Sequence, residues 1–526
     1  MNIDNKLASI LLLATSFLLI SSCGTGEREQ NQPESSGQEV SYDEPYRPQF
    51  HFTPAQNWMN DPNGLVYHDG EYHLFYQHNP FGDTWGHMSW GHAVSEDLVH
   101  WEHLPVALKE ENNVMIFSGS AVVDHKNTSG FGSEDNPPMV AIYTGHHTDQ
   151  ELQDQRIAYS TDNGRTWTKY NGNPVLDEGM ANFRDPKVFW HDEMEQWIMV
   201  VALPTEYKVQ LYSSDNLKEW SLLSEFGPSG ATGGIWECPD LFELPIEGTD
   251  QTKWVLQVDL NPGGPFGGSG SQYFIGDFDG SSFTQDPETE GETRWVDYGK
   301  DFYAVQSYAN IPEDDGRRIW ISWMNNWQYA NDIPTSPWRS AMTTPRSLTL
   351  RNYEEGTYLT HQPVNELQAL RGSHQQFENQ QIEGTSTMLA EAGISGNQLE
   401  IIAEFEIGDA ADFGFKVAEG EQEETIVGYN VETGELYIDR TNSGETEFSE
   451  EFAGVHTAPL QPLDGQIKLH IFVDRSSVEV FGNDGRVVIT DRIFPSSDSD
   501  GISLFSTGGA TQLINLDIWQ LDSTWN

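Results

Sequence analysis

Three times in the first half of the chain a serine, an aspartate and a closing tryptophan recur in the same order. The segments are Ser95-Glu96-Asp97-Leu98-Val99-His100-Trp101, Ser160-Thr161-Asp162-Asn163-Gly164-Arg165-Thr166-Trp167 and Ser213-Ser214-Asp215-Asn216-Leu217-Lys218-Glu219-Trp220. Gly276-Asp277-Phe278-Asp279-Gly280-Ser281-Ser282-Phe283 is a fainter echo. An Asp that caps backbone N–H groups in a turn, with an aromatic ring packed beneath the hairpin, accounts for the pattern. One such turn per several strands predicts propeller blades, about five at this spacing; unrelated hairpins in an irregular sandwich are the competing arrangement.

Between Tyr46 and Leu350 short apolar, aromatic and β-branched segments support that reading, among them Tyr72 to Tyr76, Met139 to Tyr143, Trp197 to Ala202, Trp254 to Val258 and Ile319 to Trp323. They read as strands, and no long 3.6-period amphipathic stretch separates them. After Arg351 the composition turns polar, and Val364 to Glu378 reads as a helical part of a linker over 351–378. Beyond it Leu399, Ile401, Ala403, Phe405 and Ile407 alternate with mostly polar residues, as do Ile467, Leu469, Ile471 and Val473. These are half-buried strands of a sandwich over 379–526. The expected fold is all-β: a propeller over 46–350 followed by a C-terminal β-sandwich.

The N-terminus carries an address. Lys6 precedes an apolar run from Leu7 to Ile20, long enough for a signal-peptide core and too short to span a membrane. The run ends in Leu19-Ile20-Ser21-Ser22-Cys23-Gly24, which resembles a bacterial lipoprotein box. Residues 1–22 are therefore expected to be a signal peptide and Cys23 to be lipidated, exporting the protein to a membrane surface. Residues 24–45, rich in Glu, Gln, Ser and Gly, are a flexible tether. Cys23 and Cys238 are the 2 cysteines of the chain, so acylation of Cys23 rules out an intramolecular disulfide.

A formal net charge of −55, from 82 Asp plus Glu against 27 Lys plus Arg, repels the phosphates of a nucleic acid, so none is expected as a partner. The charge itself reads as a solvated acidic surface. The 17 Trp, 19 Tyr and 26 Phe exceed what packing requires, so some should face a ligand. The 16 His include the doublet His146-His147 and the pair His87 and His92, but no HExxH or Cys/His cluster appears, and no metal or other cofactor is expected. The Gly-rich stretch 263–270 lacks the lysine of a phosphate-binding loop.

Among the many acidic residues, three sit among apolar or bulky neighbours. Asp61 lies in Trp58-Met59-Asn60-Asp61-Pro62-Asn63-Gly64, where Pro62 fixes the backbone and Gly64 permits a sharp turn. The same residues also make a plain turn. Asp185, in Asn182-Phe183-Arg184-Asp185-Pro186-Lys187-Val188-Phe189, has Arg184 beside it, which equally suits a surface ion pair. Glu237, in Gly234-Ile235-Trp236-Glu237-Cys238-Pro239-Asp240-Leu241-Phe242, has the driest flanks, the setting of a proton donor, with Asp240 as its competitor. Cleaving a glycosidic bond by the common route needs two carboxyl groups, one to protonate the leaving oxygen and one to attack the anomeric carbon or activate water.

Together these segments resemble family 32 of the glycoside hydrolases, the invertases, levanases and exo-inulinases. His51-x-x-Pro54-x-x-x-Trp58-Met59-Asn60-Asp61-Pro62-Asn63-Gly64 is similar to the family's opening signature, and Arg184-Asp185-Pro186 and Trp236-Glu237-Cys238-Pro239-Asp240 match its other two acidic motifs in order. Asp474-Arg475-Ser476-Ser477-Val478-Glu479-Val480-Phe481 resembles a stretch of its C-terminal sandwich. The resemblance implies a five-bladed propeller with an axial active site, Asp61 as nucleophile, Glu237 as acid/base and Asp185 as transition-state stabiliser. It also implies sugar contacts at Asn60, Gln77, Trp85, Phe117, Ser118, Arg184 and Trp323.

The stretches Gln56 to Leu108 and Trp327 to Ser340 look most like bacterial levanases and exo-inulinases. The expected activity is therefore retaining, exo-acting hydrolysis of terminal β-fructofuranosides in fructans such as levan and inulin, with sucrose as a further substrate. A sucrose-preferring invertase and a fructosyltransferase are the alternatives within the family. A non-catalytic fructan-binding lipoprotein is the alternative of another class, and it has no need of a poised acid and nucleophile.

Overall fold

A computed structural model describes residues 40–525. The expected signal peptide 1–22, Cys23 and the tether as far as residue 39 lie outside the described residues. From Ser41 onward the chain forms one compact unit, almost entirely β.

The first part is a five-bladed propeller. Its blades begin with inner strands Asn57–His68, Val114–Val123, Arg184–His191, Ile235–Pro245 and Tyr303–Ser307. Three further principal strands run outward from each in antiparallel order. Each inner strand touches the next, and the fifth touches the first, so they ring a common axis. The ring closes on backbone pairing. Asn57 and Trp58 pair in parallel with Trp338 and Arg339, and Ala309 exchanges hydrogen bonds with Leu65 and Tyr67 at 2.9 and 3.0 Å. Repeating the blades around one axis leaves each sheet only a short, protected outer edge.

The recurring turn connects the third and fourth strands of blades 1 to 4. Asp97 Oδ1 accepts the N–H groups of Val99 and His100 at 3.0 and 2.8 Å, and Asp162 Oδ1 that of Thr166 at 2.9 Å. Trp101, Trp167 and Trp220 each donate an indole N–H back to the turn backbone. In the third copy the cap is Asn216, not the expected Asp215: Asn216 Oδ1 accepts from Lys218 and Glu219 at 2.9 and 3.1 Å. Asp279 caps the fourth, accepting from Ser281 and Ser282 at 2.9 and 2.8 Å. Blade 5 makes this connection with the tight turn at Tyr353–Gly356 and needs no such cap.

The stretch expected as linker, 351–378, is different in the structure. Gly356–Pro363 is the outer strand of blade 5, paired with Arg346–Tyr353. Only Asn365–Leu370 is helical, as a 3-10 turn, and Arg371–Ser386 is a strand of the sandwich paired with Gly501–Leu521. Its Gln- and Glu-rich sequence suits a helix, but backbone pairing with a long neighbour decides the outcome, and both of its faces are mostly exposed.

The 21-residue strand Gly501–Leu521 ties the sandwich together: its first part pairs with Asp412–Glu419 and its second with Leu399–Glu406. The core between layers takes Leu399, Ile401, Ala403, Phe405, Ile467, Leu469, Ile471 and Val473. These are the alternating residues picked out by the sequence, with the exception of Ile407, which lies at the margin. The sandwich meets the propeller through buried charge. His51 stands between Asp474 and Glu479, at 2.8 and 2.7 Å, and Arg346 of blade 5 joins both Glu479 and Asp297.

Candidate active site

All five inner strands carry an irregularity at the same level. Against its neighbour, each advances three residues where the neighbour advances two: Met59 to Pro62, Ile116 to Gly119, Arg184 to Lys187, Glu237 to Asp240 and Tyr303 to Gln306. These are one-residue β-bulges, which bend a strand and re-aim its side chains. Asp61, Ser118, Asp185 and Cys238 all sit within bulges, and Glu237 and Tyr303 at the edges of theirs. Asp185, Cys238 and Ala304 adopt left-handed backbone, at φ +66°, +46° and +56°. Non-glycine residues seldom hold that conformation, so the surrounding packing over-determines it.

The bulges bring three carboxyl groups around the axis. Asp61 accepts from Asn60 Nδ2 at 2.9 Å on Oδ1 and from Ser118 Oγ at 2.6 Å on Oδ2, so both oxygens are held. Burial pushes its pKa up, against the hydrogen bonds from Ser118 and Asn60, while the charge of Glu237 raises it further. Glu237 Oε1 accepts from Nε and Nη2 of Arg184 at 3.0 and 2.9 Å, and Oε2 accepts the hydroxyl of Tyr303. Asp185 Oδ2 accepts the backbone N–H of Cys238 at 2.9 Å, and Thr144 Oγ1 accepts the N–H of Asp185 at 3.0 Å. Burial raises the pKa of Asp185; Arg184 opposes this and Glu237 adds to it. The Cys238 thiol lies 3.7 Å from Oδ2 of both Asp61 and Asp185 and links the two across the axis.

The competitor Asp240 is elsewhere. It is buried in an ion pair with Lys187 at 2.9 Å and accepts the N–H of Ser307, so it braces blades 3 to 5 beneath the site. Gln77 is buried, its amide donating to Asn63 Oδ1 and the Ile116 carbonyl at 2.8 and 3.0 Å. Trp85, 42% exposed, stands at the mouth with its ring edge towards Phe117, the centroids 6.2 Å apart. Trp323 departs from expectation. It is 0% exposed, packed among Trp58, Tyr303 and Trp327, and offers no open face to a sugar. The buried indole contributes as packing and backs Tyr303.

Sequence reasoning missed Tyr303, the Cys238 N–H and the polar support behind Arg184. Arg184 Nη1 donates to Gln153 Oε1 and Asn182 Oδ1, both at 3.2 Å. Tyr303 sits in Phe302-Tyr303-Ala304-Val305, which reads as ordinary core strand; its place at the fifth bulge is its distinguishing mark. Among the described residues no group of three or more His, Cys, Asp or Glu side chains is arranged to hold a metal ion.

Two held carboxyl groups, Asp61 on the first blade and Glu237 on the fourth, turned to one axial opening, the second clamped by a guanidinium and a phenol, suit displacement at a carbon centre with proton transfer to the leaving oxygen. Known proteins similar to this chain share its family. Residues 51–363 match the glycosyl hydrolases family 32 N-terminal domain and residues 366–520 its C-terminal domain. The levanase of Bacillus subtilis (strain 168) is 53% identical over 490 residues, covering 92% of this chain and 72% of its own. The extracellular exo-inulinase of Aspergillus niger is 45% identical over 520 residues, covering 92% and 96%. The crystal structure of exo-inulinase from Aspergillus awamori superposes with a TM-score of 0.86 at 44% identity, covering 92% of this chain and 100% of that one. A fructofuranosidase from Schwanniomyces occidentalis complexed with fructose follows at 0.83 and 36%, again over 92% and 100%. The chain belongs to family 32 of the glycosyl hydrolases.

Proposed function

We propose that the protein is a retaining exo-β-fructosidase that removes terminal fructofuranose units from fructans and also cleaves sucrose. The observation that carries this reading is the pairing of Asp61, fixed by two donors, with Glu237, clamped by Arg184 and Tyr303. Glu237 gives its proton to the glycosidic oxygen while an Asp61 oxygen attacks the anomeric carbon, forming a fructosyl ester and releasing the rest of the chain. Glu237, now a carboxylate, takes a proton from water; the water oxygen attacks the same carbon and Asp61 leaves. Two inversions at one carbon give net retention. Asp185 accepts hydrogen bonds from sugar hydroxyls and offsets the positive charge that develops in the ring. Asn60, Gln77, Trp85, Phe117, Ser118 and Arg184 line the fructose-binding pocket in this reading, and Trp323 supports it from behind.

The propeller carries the chemistry and the sandwich braces it. Relatives described as levanase and extracellular exo-inulinase favour polymeric fructan over sucrose alone. They also fit export, with residues 1–22 as signal peptide and Cys23 as a lipid anchor whose tether holds the enzyme at a membrane surface. The test is incubation of the purified protein and its Asp61→Ala variant with levan, inulin and sucrose, following free fructose and chain length. Steady release of fructose from a polymer, absent in the variant, is expected. Cleavage of sucrose alone would make the protein an invertase, and binding of all three without cleavage would make it a fructan-binding lipoprotein.

A further inference from the structure

The doublet His146-His147 divides into two unlike residues. His147 is fully engaged: Nε2 meets Asp154 Oδ2 at 2.9 Å and Nδ1 meets Gln150 Nε2 at 2.9 Å. His146 is half-buried and has one hydrogen-bond partner among the described residues, Gln153, whose Nε2 lies 3.3 Å from its Nδ1. The amide of Gln153 is oriented by its other end, because Oε1 already accepts the N–H of Phe183 at 2.9 Å and Nη1 of Arg184 at 3.2 Å. Gln153 therefore turns a donor towards His146. Nδ1 of His146 must accept it, and in a neutral ring the proton then sits on Nε2.

The ring is kept neutral by its surroundings. Burial lowers its pKa, and the positive charge of Arg184 from blade 3 acts in the same direction. The outcome is an N–H donor of settled tautomer on the edge of the ring away from Gln153, with no hydrogen-bond partner among the described residues.

Its place in the funnel identifies what it meets. His146 lies flat against Phe117, centroids 4.4 Å apart and planes at 6°, and Phe117 in turn meets the edge of Trp85. The three rings form one wall that runs from the exposed Trp85 down to Ser118, the neighbour of Phe117 and the donor to Asp61. The bottom of the funnel is occupied by the bulges of the inner strands. His146 is on the second strand of blade 2, opposite Met115 and one strand further from the axis. An apolar wall with a few placed polar groups is the usual build of a small-molecule site, and the polar groups fix the ligand's orientation.

We infer that His146 is a specificity-determining residue on the leaving-group side: its Nε2–H donates to a hydroxyl of the sugar unit next to the scissile bond, at the outer end of the pocket that Phe117 and Trp85 line. The inference rests on the fructosidase reading and assigns a contact that reading leaves open.

The test uses two variants of the full chain. His146→Ala removes both ring and donor, while His146→Phe keeps a ring against Phe117 and removes only the nitrogens. Steady-state kinetics on a fructo-oligosaccharide are read beside inhibition by free fructose, a probe of the pocket bottom. Both variants should raise KM for the oligosaccharide about fivefold, the weight of one hydrogen bond between neutral groups, with kcat within about twofold and the fructose inhibition constant unmoved. Wild-type KM in His146→Phe overturns the inference, because stacking would then be the whole role. A fructose inhibition constant that rises in step with KM also overturns it, because the pocket bottom would be what was disturbed. Absence of fructose release by the wild-type protein from any β-fructoside would instead remove the fructosidase reading, and this inference with it.

Discussion

Arg184 directs Nε and Nη2 to a single oxygen of Glu237, at 3.0 and 2.9 Å, and leaves the other oxygen to Tyr303. Its remaining nitrogen is tied to Gln153 and Asn182. The guanidinium is thus a spacer of fixed shape between blade 3 and Glu237 of blade 4. Lysine offers the same charge as a single point on a flexible stem and cannot reproduce the clamp. Arg184→Lys should lower kcat/KM on fructan by at least about tenfold, because a misdirected acid/base loses alignment with the leaving oxygen. Steady-state kinetics beside a thermal melt that stays close to wild type would check it.

Glu237→Gln separates proton donation from nucleophilic attack. Glutamine fills the same space between Arg184 and Tyr303 but has no proton to give. Release of fructose from fructan should fall by about 10²- to 10⁴-fold, the usual weight of general acid catalysis. An aryl β-fructofuranoside with an acidic phenol as leaving group needs no such help, so its first step should be nearly normal and show as a burst of phenol. Asp61→Ala should abolish activity on both substrates. Equal losses on both in the glutamine variant would place Glu237 in another role.

Tyr303→Phe tests the other side of the clamp. The ring and its packing against Trp323 stay, and one hydrogen bond to Glu237 goes. A hydrogen bond to a charged group contributes about 1.5 to 3 kcal/mol, so kcat should fall by roughly 10- to 100-fold with KM little changed. An unchanged kcat would show that Arg184 alone holds the acid/base.

The propeller was legible because its cue is local. Asp97, Asp162 and Asp279 cap backbone groups within four residues of themselves, and Trp101, Trp167 and Trp220 fold back over the same turns. The carboxylates Asp61, Asp185 and Glu237 stood out from a crowd of surface acids by their rigid or bulky neighbours. The five bulges were not legible, since an extra residue exists only relative to the strand it pairs with, and that partner is set by tertiary structure. Tyr303 went unseen for this reason. Trp323 erred in the opposite direction: its motif belongs to the active-site side of the family pattern, yet motif membership does not say which way a side chain faces. Arg371–Ser386 hid as a strand because neither face is consistently apolar.

The burial of Trp323 has a measurable consequence. If it backs Tyr303 and Trp58 without touching sugar, then Trp323→Phe should act first on stability. Loss of part of a fully buried indole should cost about 1 to 3 kcal/mol and lower the melting temperature, with KM for sucrose and fructan within about twofold of wild type. A raised KM at unchanged stability would instead return Trp323 to the sugar pocket.

The clasp between propeller and sandwich predicts how stability varies with pH. Burial opposes charge on His51, but its hydrogen bonds to Asp474 and Glu479 prevail and push its pKa up to about 9. An unfolded histidine titrates near its ordinary value of 6.5. Between these values the folded chain holds a proton that the unfolded chain has lost, so the contribution is complete below about 6.5 and disappears as pH rises through about 9. At about 1.4 kcal/mol per pH unit this is on the order of 3 kcal/mol. Glu479 behaves in the opposite sense. Burial again opposes its charge, and Arg346 and His51 outweigh it and hold it at about 2, so its contribution is complete above about 4.5 and lost as pH falls towards 2. The melting temperature of the protein should therefore be highest between about pH 5 and 6.5 as far as this clasp is concerned, and decline on both sides. His51→Gln keeps a polar group in the space but cannot carry charge; it should melt lower at pH 6 and lose the wild-type decline between pH 6.5 and 9. If the variant and the wild type decline in parallel over that range, His51 is not the group that binds the proton.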